Sequence, residues 1–394
     1  MHYLDHAATT PLREDVAQEW LRASAVLGNA SSTHGAGQAA RRLLEESRER
    51  LAAVVGADPI EVVFTSGGTE SANLAIQGLW RSRTLGGTTI VLPDGEHHAV
   101  LDTVAALADE GAQVASVPLD GHGRIDAAAF EAATEADGVV LATALVANNE
   151  VGTRNDAPRL SRAASVAGVP LHLDAVAAFG HVPLSFRELR GQAPAGGGLV
   201  ALSLAGHKIG APAGTGALVV ARSARIVPIL HGGGQQRGLR AGTQDVAGAA
   251  ALALAAERAE QEREAEAERV SRLRDDLVRG ILARIPQAEL LGDPDPDGRL
   301  PGNAHLLFPG APSESLLFLL DQAGISASAG SACQAGVGEP SHVVRAMGRS
   351  DAEARSVIRF TLGRGSGGED VDAVLAMIAE AYARASGARS TVRS

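Results

Sequence analysis

The stretch 200-VALSLAGHKIGAPAGTGALVV-220 carries Lys208, the only lysine among 394 residues, and how it is read decides the fold. Residues 199–205 are apolar enough for a buried strand, 206-GHKIGAPAG-214 is a turn tipped with an imidazole and an amine, and 215-TGALVV-220 begins a second apolar strand. Two strands thus present one amine at their junction. An amine placed between apolar strands has what imine formation needs, because desolvation favours the neutral nucleophile and a short turn fixes its direction. The competing reading is a solvated lysine on a surface turn. Composition weighs against it: of 35 Lys and Arg residues this is the one lysine, and arginine cannot form an imine.

Working outward, the upstream chain alternates apolar strands with helices: 88-TTIVLP-93, 98-HAVLDTVAALADEG-111, 112-AQVASVPLD-120, 126-DAAAFEAAT-134, 138-GVVLATALVA-147, 158-PRLSRAASVAG-168 and 169-VPLHLDAVA-177. This is the rhythm of an α/β fold, a mostly parallel sheet with helices on both faces. Ligands on such sheets gather at the carboxyl ends of the strands, where His97, His98, Asn148, Asn149, Glu150, Asp174, His207 and Lys208 fall. Further upstream, 60-IEVVFTSGGTESANLAIQGLWRS-82 reads as strand, glycine turn and helix, an anion-binding design whose free N–H groups and dipole favour a phosphate. It lacks the fuller dinucleotide and P-loop patterns, so it argues for some phosphate rather than for NAD or ATP. Helices at 12–23 and 36–56 read as scaffold, with 28-GNASSTHGAG-37 a polar loop between them.

Downstream, 231-HGGGQQRGLRAGTQDV-246 is a glycine-rich loop whose Arg237 and Arg240 suit a carboxylate or phosphate. A long Ala, Glu and Arg-rich helix follows from about 244 to 284, the expected hinge between domains. The remainder, with strands near 302–310 and 355–363 and helices near 313–324 and 369–385, reads as a smaller α+β domain. The expected division is 12–258 for the large domain and 1–11 with 259–394 for the small one.

With 46 acidic against 35 basic residues the net charge is −11, and only 3% of residues are aromatic, so nucleic acid and anionic membranes are poor partners. The N-terminus MHYLDHAATTP shows no secretory pattern and no run is long enough to span a membrane, which makes the cytoplasm the expected compartment. One cysteine, Cys333, excludes an intrachain disulfide, and the histidines show no metal-ligand spacing, so no metal is expected. His2, His6, His122 and His181 read as solvated or capping residues.

A phosphate turn, a carboxylate at a strand end, a histidine after a strand and a turn lysine together suggest pyridoxal phosphate, with Lys208 holding the aldehyde, Asp174 paired with the pyridine nitrogen, and His97 or His98 on the ring face. The landmarks 3-YLDHAATTP-11, 28-GNASSTHGAG-37, 64-FTSGGTESANLAI-76, 96-EHHAVLD-102, 148-NNEVG-152, 172-HLDAVAAFG-180, 206-GHKIGAP-212, 232-GGGQQRGLRAGT-243, 328-SAGSACQAG-336, 340-PSHVVRAMG-348 and 355-RSVIRFTLGR-364 occur in one order along the whole chain. In them the sequence resembles the cysteine desulfurases, class V aminotransferase relatives with the fold type I architecture of a mostly parallel seven-stranded sheet and a smaller α+β domain.

The resemblance implies that Lys208 forms the imine, that His97 stacks on the ring as a base, and that Asp174 pairs with the ring nitrogen. Asn149 would meet the ring hydroxyl, Gly68, Thr69 and His207 the phosphate, and Thr243 the phosphate of the neighbouring subunit in a homodimer. Arg359 would hold the carboxylate of L-cysteine, with Asn29 close to it, and Cys333 would take the sulfur as a persulfide with release of L-alanine. The segment from Cys333 to Pro340 resembles the long-loop class that feeds a scaffold or sulfur-acceptor protein. Whether the sulfur goes to iron-sulfur cluster biosynthesis or to thiolation stays open. Two positions depart from the family pattern: Ala177 stands where a glutamine is expected beside the cofactor's phenolic oxygen, and Ala205 where a serine is expected against its phosphate. The alternatives are a related lyase or epimerase acting on another sulfur or selenium amino acid, and a catalytically weakened relative that serves as a binding partner.

Overall fold

The computed structural model describes residues 1–83, 86–330 and 339–387. Its large sheet has seven strands in the order Val62–Thr65, Gly216–Val220, Gly198–Ala205, Pro170–Asp174, Val139–Leu145, Thr89–Pro93 and Gln113–Val117. Only Gly216–Val220 runs against its neighbours; the other pairings are parallel. The reason lies in connection length. Ten residues separate Ala205 from Gly216, enough for a hairpin between antiparallel strands and too few for a helical crossover. Strands Gly198–Ala205 and Gly216–Val220 are buried along their whole length, as continuous apolar runs require.

Several helices begin where polar side chains take their open N–H groups. Asp126 accepts from Ala128 and Ala129, Asp156 from Arg159, and Asp245 from Gly248. The last of these starts a 39-residue helix, Val246–Arg284, that serves two cores. Its first turns are alanine-rich, and Ala249, Ala251, Ala255, Ala256 and Ala259 pack into the core around the large sheet. Further along, Val270, Leu277, Val278 and Ile281 belong to a second core with Leu4, Phe308, Phe360 and Ile378. Small side chains line the helix where it meets the large domain, and larger ones where it meets the small one.

The small domain has an antiparallel sheet in the order Val357–Thr361, Asn303–Leu307, Glu289–Leu291, with helices Ser313–Gln322 and Gly368–Ala385 packed into the same core. The N-terminal strand His2–Tyr3 pairs in parallel with Ile325–Ser326, which brings the start of the chain to this domain. Short helices at Phe186–Arg190, His342–Ala346 and Asp351–Ala354 were not expected from the sequence. No helix among the described residues is long and apolar enough to cross a membrane.

Candidate active site

The carboxyl ends of the central strands and the hairpin tip open on one cavity of about 910 Å3, lined among others by Gly68, Thr69, His97, Asn149, Asp174, His207, Lys208 and Arg359. The hairpin tip is held by its own hydrogen bonds, Gly206 N–H to the Thr215 carbonyl at 2.9 Å and Thr215 Oγ1 to the Pro212 carbonyl at 2.7 Å. Lys208 is therefore displayed from a closed turn. His207 beside it is pushed down to about 4 by burial and by the neighbouring lysine, so its ring is neutral near pH 7.

Helix Gly68–Arg81 points its N-terminus at the cavity. A Cβ at Gly68 would lie 2.6 Å from Val176 Cγ2, so glycine is what lets the helix start approach the loop after Asp174. Free N–H groups and the positive end of the helix dipole then line one end of the cavity. At the other end Arg359 is almost fully buried, 3% exposed. Its Nη1 donates to the Asn149 carbonyl at 2.8 Å and its Nη2 to Asp5 Oδ1 at 2.9 Å, while Nε has no partner among the described residues. A buried N–H kept without a partner is costly unless something arrives to take it.

His97 Nδ1 accepts from the Ala99 N–H at 3.1 Å, which places the proton of the neutral ring on Nε2. Burial lowers its pKa, Asp174 pulls it back up and Lys208 lowers it again. Asp174 is buried at the end of its strand, with Oδ1 accepting from Val176 N–H at 2.9 Å. His172, two residues earlier on the same strand face, does not touch it. Instead His172 joins Thr143 Oγ1 at 2.9 Å and Ser203 Oγ at 2.8 Å, a polar ladder across three strands.

Two buried carboxylates flank the site, and the sequence reading passed over their chemistry. Glu96 Oε1 accepts from Leu145 N–H at 2.7 Å while Oε2 has no partner among the described residues, and burial, then Asp174, holds its pKa well above the usual carboxylate range. Glu150 accepts the Ser341 hydroxyl on Oε2 and packs against Gly330. Both stand in quoted motifs, 96-EHHAVLD-102 and 148-NNEVG-152. The signal that could have found them is a carboxylate in the short segment that follows a buried apolar strand, where ionisation is expensive.

The remaining candidates fall elsewhere. Asn29 is exposed, with its Oδ1 taken by Ser31 N–H, and Thr243 is exposed; neither lines the cavity of this chain. Arg237 and Arg240, expected to suit a ligand anion, are engaged by the protein: Arg237 donates to the Ile60 and Val220 carbonyls and Arg240 pairs with Glu70 at 2.9 Å. Cys333 and its expected long loop lie outside the described residues. His6 and His181, expected to be solvated or capping, instead line a second cavity of about 610 Å3, and burial lowers both to about 4. Ala7, Asn149, Ala177 and Lys208 are common walls of the two cavities.

This architecture and donor set define a class. The aminotransferase class-V family matches residues 2–374, and the chain belongs to it. Within that family it is similar to the IscS-like cysteine desulfurase of Mycobacterium tuberculosis (strain ATCC 25618 / H37Rv), 46% identical over 390 residues, 98% of this chain and 97% of that protein. It is also similar to a solved structure described as a NifS-like protein, with TM-score 0.87 and 32% identity over 96% of this chain and 98% of that one. A third relative, SspA solved in complex with cysteine, gives TM-score 0.79 and 30% identity over 92% of this chain and 99% of that one. The chain is a cysteine desulfurase, an enzyme that takes sulfur from cysteine by way of a persulfide.

Proposed function

We propose that this chain binds pyridoxal phosphate in the larger cavity, acts on L-cysteine with release of L-alanine, and passes the sulfur through Cys333 to an acceptor protein, working in the cytoplasm as a homodimer in which Thr243 reaches the partner's site. The donor set fits that cofactor. The open helix start at Gly68 and Thr69, with neutral His207, suits a phosphate. Asp174 suits a protonated ring nitrogen, Asn149 a ring hydroxyl, and Lys208 an aldehyde. When bound, the group supplies an electron sink for charge released at the substrate's α-carbon.

The protein's own groups do the rest. Arg359 holds the α-carboxylate, Lys208 Nζ takes the α-proton, and Asp174 keeps the ring-nitrogen proton in place. His97, with its proton on Nε2 and in the wall of the same cavity, would serve as a proton donor or acceptor to the bound substrate. The Cys333 thiolate attacks the substrate sulfur; an S–S bond forms, the C–S bond breaks, and the carbon fragment takes up a proton to leave as alanine. One thiol and cysteine become one persulfide and alanine, so no outside oxidant is needed. The carrying observation is the convergence of a helix start, a buried carboxylate, the lone lysine and a buried arginine on one cavity.

The test is product analysis with L-cysteine and a reductant. Equal amounts of alanine and sulfide are expected, with sulfide release abolished in Cys333→Ser and cofactor retention lost in Lys208→Ala. Pyruvate in place of alanine, or sulfide release that survives Cys333→Ser, overturns the desulfurase mechanism in favour of a lyase.

A further inference from the structure

The motif 3-YLDHAATTP-11 has no part in the chemistry assigned so far, yet it bridges the two ends of the cavity. At one end the Leu4 carbonyl accepts from Thr361 N–H at 2.7 Å, and Ala7 N–H donates to Thr361 Oγ1 at 2.8 Å, so the segment lies along the strand that carries Arg359. At the other end Thr10 N–H donates to the His207 carbonyl at 3.0 Å, one residue from Lys208. Tyr3 closes the bend, with its hydroxyl 2.8 Å from the Thr9 carbonyl. Ala7 and Ala8, between the two attachments, form cavity wall.

Asp5 stands where this segment meets Arg359. The guanidinium is planar, so two fixed contacts set its orientation: the Asn149 carbonyl at 2.8 Å on Nη1 and Asp5 Oδ1 at 2.9 Å on Nη2. With both made, Nε is the guanidinium nitrogen with no partner among the described residues, and each Nη keeps one further N–H to offer beside it. Asp5 also supplies the counter-charge that a guanidinium this deeply buried needs before any substrate arrives. We propose that Asp5 is a positioning residue for substrate recognition, holding Arg359 in the one orientation that reads an α-carboxylate, and that residues 4–10 fix the separation between that arginine and the lysine turn. This rests on the reading of Arg359 as the carboxylate site.

The consequence is selectivity between amines with and without a carboxylate. The cofactor-loaded protein is titrated with L-alanine and with ethylamine, which differ by that carboxylate, and binding is followed by the cofactor's absorbance; neither ligand involves Cys333. In the wild type L-alanine is expected to bind the more tightly. Asp5→Ala should cut the ratio of the two affinities about tenfold, by weakening L-alanine and leaving ethylamine unchanged. Asp5→Asn, which keeps an oxygen acceptor at the same reach but removes the counter-charge, should lower the melting temperature while the ratio of affinities stays within about threefold of the wild type. Should Asp5→Ala not fold, Asp5→Glu carries the test, since one added methylene displaces the guanidinium and should cut the ratio at least threefold. Were the aspartate merely structural, Asp5→Ala or Asp5→Glu would lower the melting temperature without moving the ratio, and that result overturns the proposal while the desulfurase reading stands. A wild type with no preference for L-alanine overturns the Arg359 reading and the proposal together.

Discussion

At the scale of single residues, Ala177 is where a change is expected to alter how well the site holds its cofactor. It is a wall of both cavities, together with Lys208 and Asn149, so the side chain missing there leaves the lysine with empty space on two sides. Ala177→Gln is expected to fill space at this shared wall and to offer an amide beside Asn149. A hydrogen bond of that kind contributes about 1 kcal/mol, roughly fivefold in affinity. The check is the rate of cofactor loss on dilution, which should fall by that factor; no change would mean that an amide at position 177 makes no hydrogen bond to the bound cofactor. Which residues could be read from sequence follows the same physics. Lys208 stood out because it is unique, and Asp174 because a carboxylate ending an apolar strand is conspicuous. His6 and His181 did not, since an imidazole in a polar loop looks the same whether solvent or a cavity wall lies beyond it.

At the scale of elements, the two described flanks of the Cys333 segment meet at one carboxylate, Glu150. Before it, Gly330 sits at φ +120°, and a Cβ there would come within 2.6 Å of Glu150 Oε2. After it, Ser341 caps helix His342–Ala346 by accepting from Val344 N–H, and gives its hydroxyl proton to the same oxygen of Glu150. Gly330→Ala therefore carries both a backbone penalty and a collision, together about 2 kcal/mol. The urea midpoint should fall accordingly. The double variant with Glu150→Ala should lose less than the two single losses added together, because the collision is gone; strict additivity would show that Gly330 is needed for its backbone alone. The alternating elements of the large domain were readable because parallel strands are continuous apolar runs between amphipathic helices. Helices His342–Ala346 and Asp351–Ala354, of five and four residues, are too short for periodicity, and only their serine caps mark them.

At the scale of the whole molecule, each domain keeps a histidine in its interior, and this gives folding a pH dependence of definite sign. His172 lies in the large sheet between Thr143 and Ser203. His305, in the small sheet, donates Nδ1–H to the Glu150 carbonyl at 3.0 Å. Burial holds both at about 4, against an ordinary value of 6.5. Between those values the unfolded chain binds protons that the folded chain refuses, so the stabilisation is whole above pH 6.5 and is lost as pH falls toward 4. Each histidine contributes a slope of up to about 1.4 kcal/mol per pH unit in that window. Carboxylates held low by arginine partners, such as Asp15 and Glu19, start from 3.8 and 4.5 and add their loss only further down. Glu96, held well above the usual carboxylate range, works the other way in this window. His6, His181 and His207, however, are also lowered to about 4 and add to the fall, so urea midpoints should decrease from pH 7 to 5. His172→Gln, which keeps polar atoms near both hydroxyls, should be less stable at pH 7 yet lose less between pH 7 and 5, by about one histidine's share. An equal loss between pH 7 and 5 in the wild type and in His172→Gln would mean that this ring accepts a proton in the folded state, and that the polar ladder beneath the site opens to admit it.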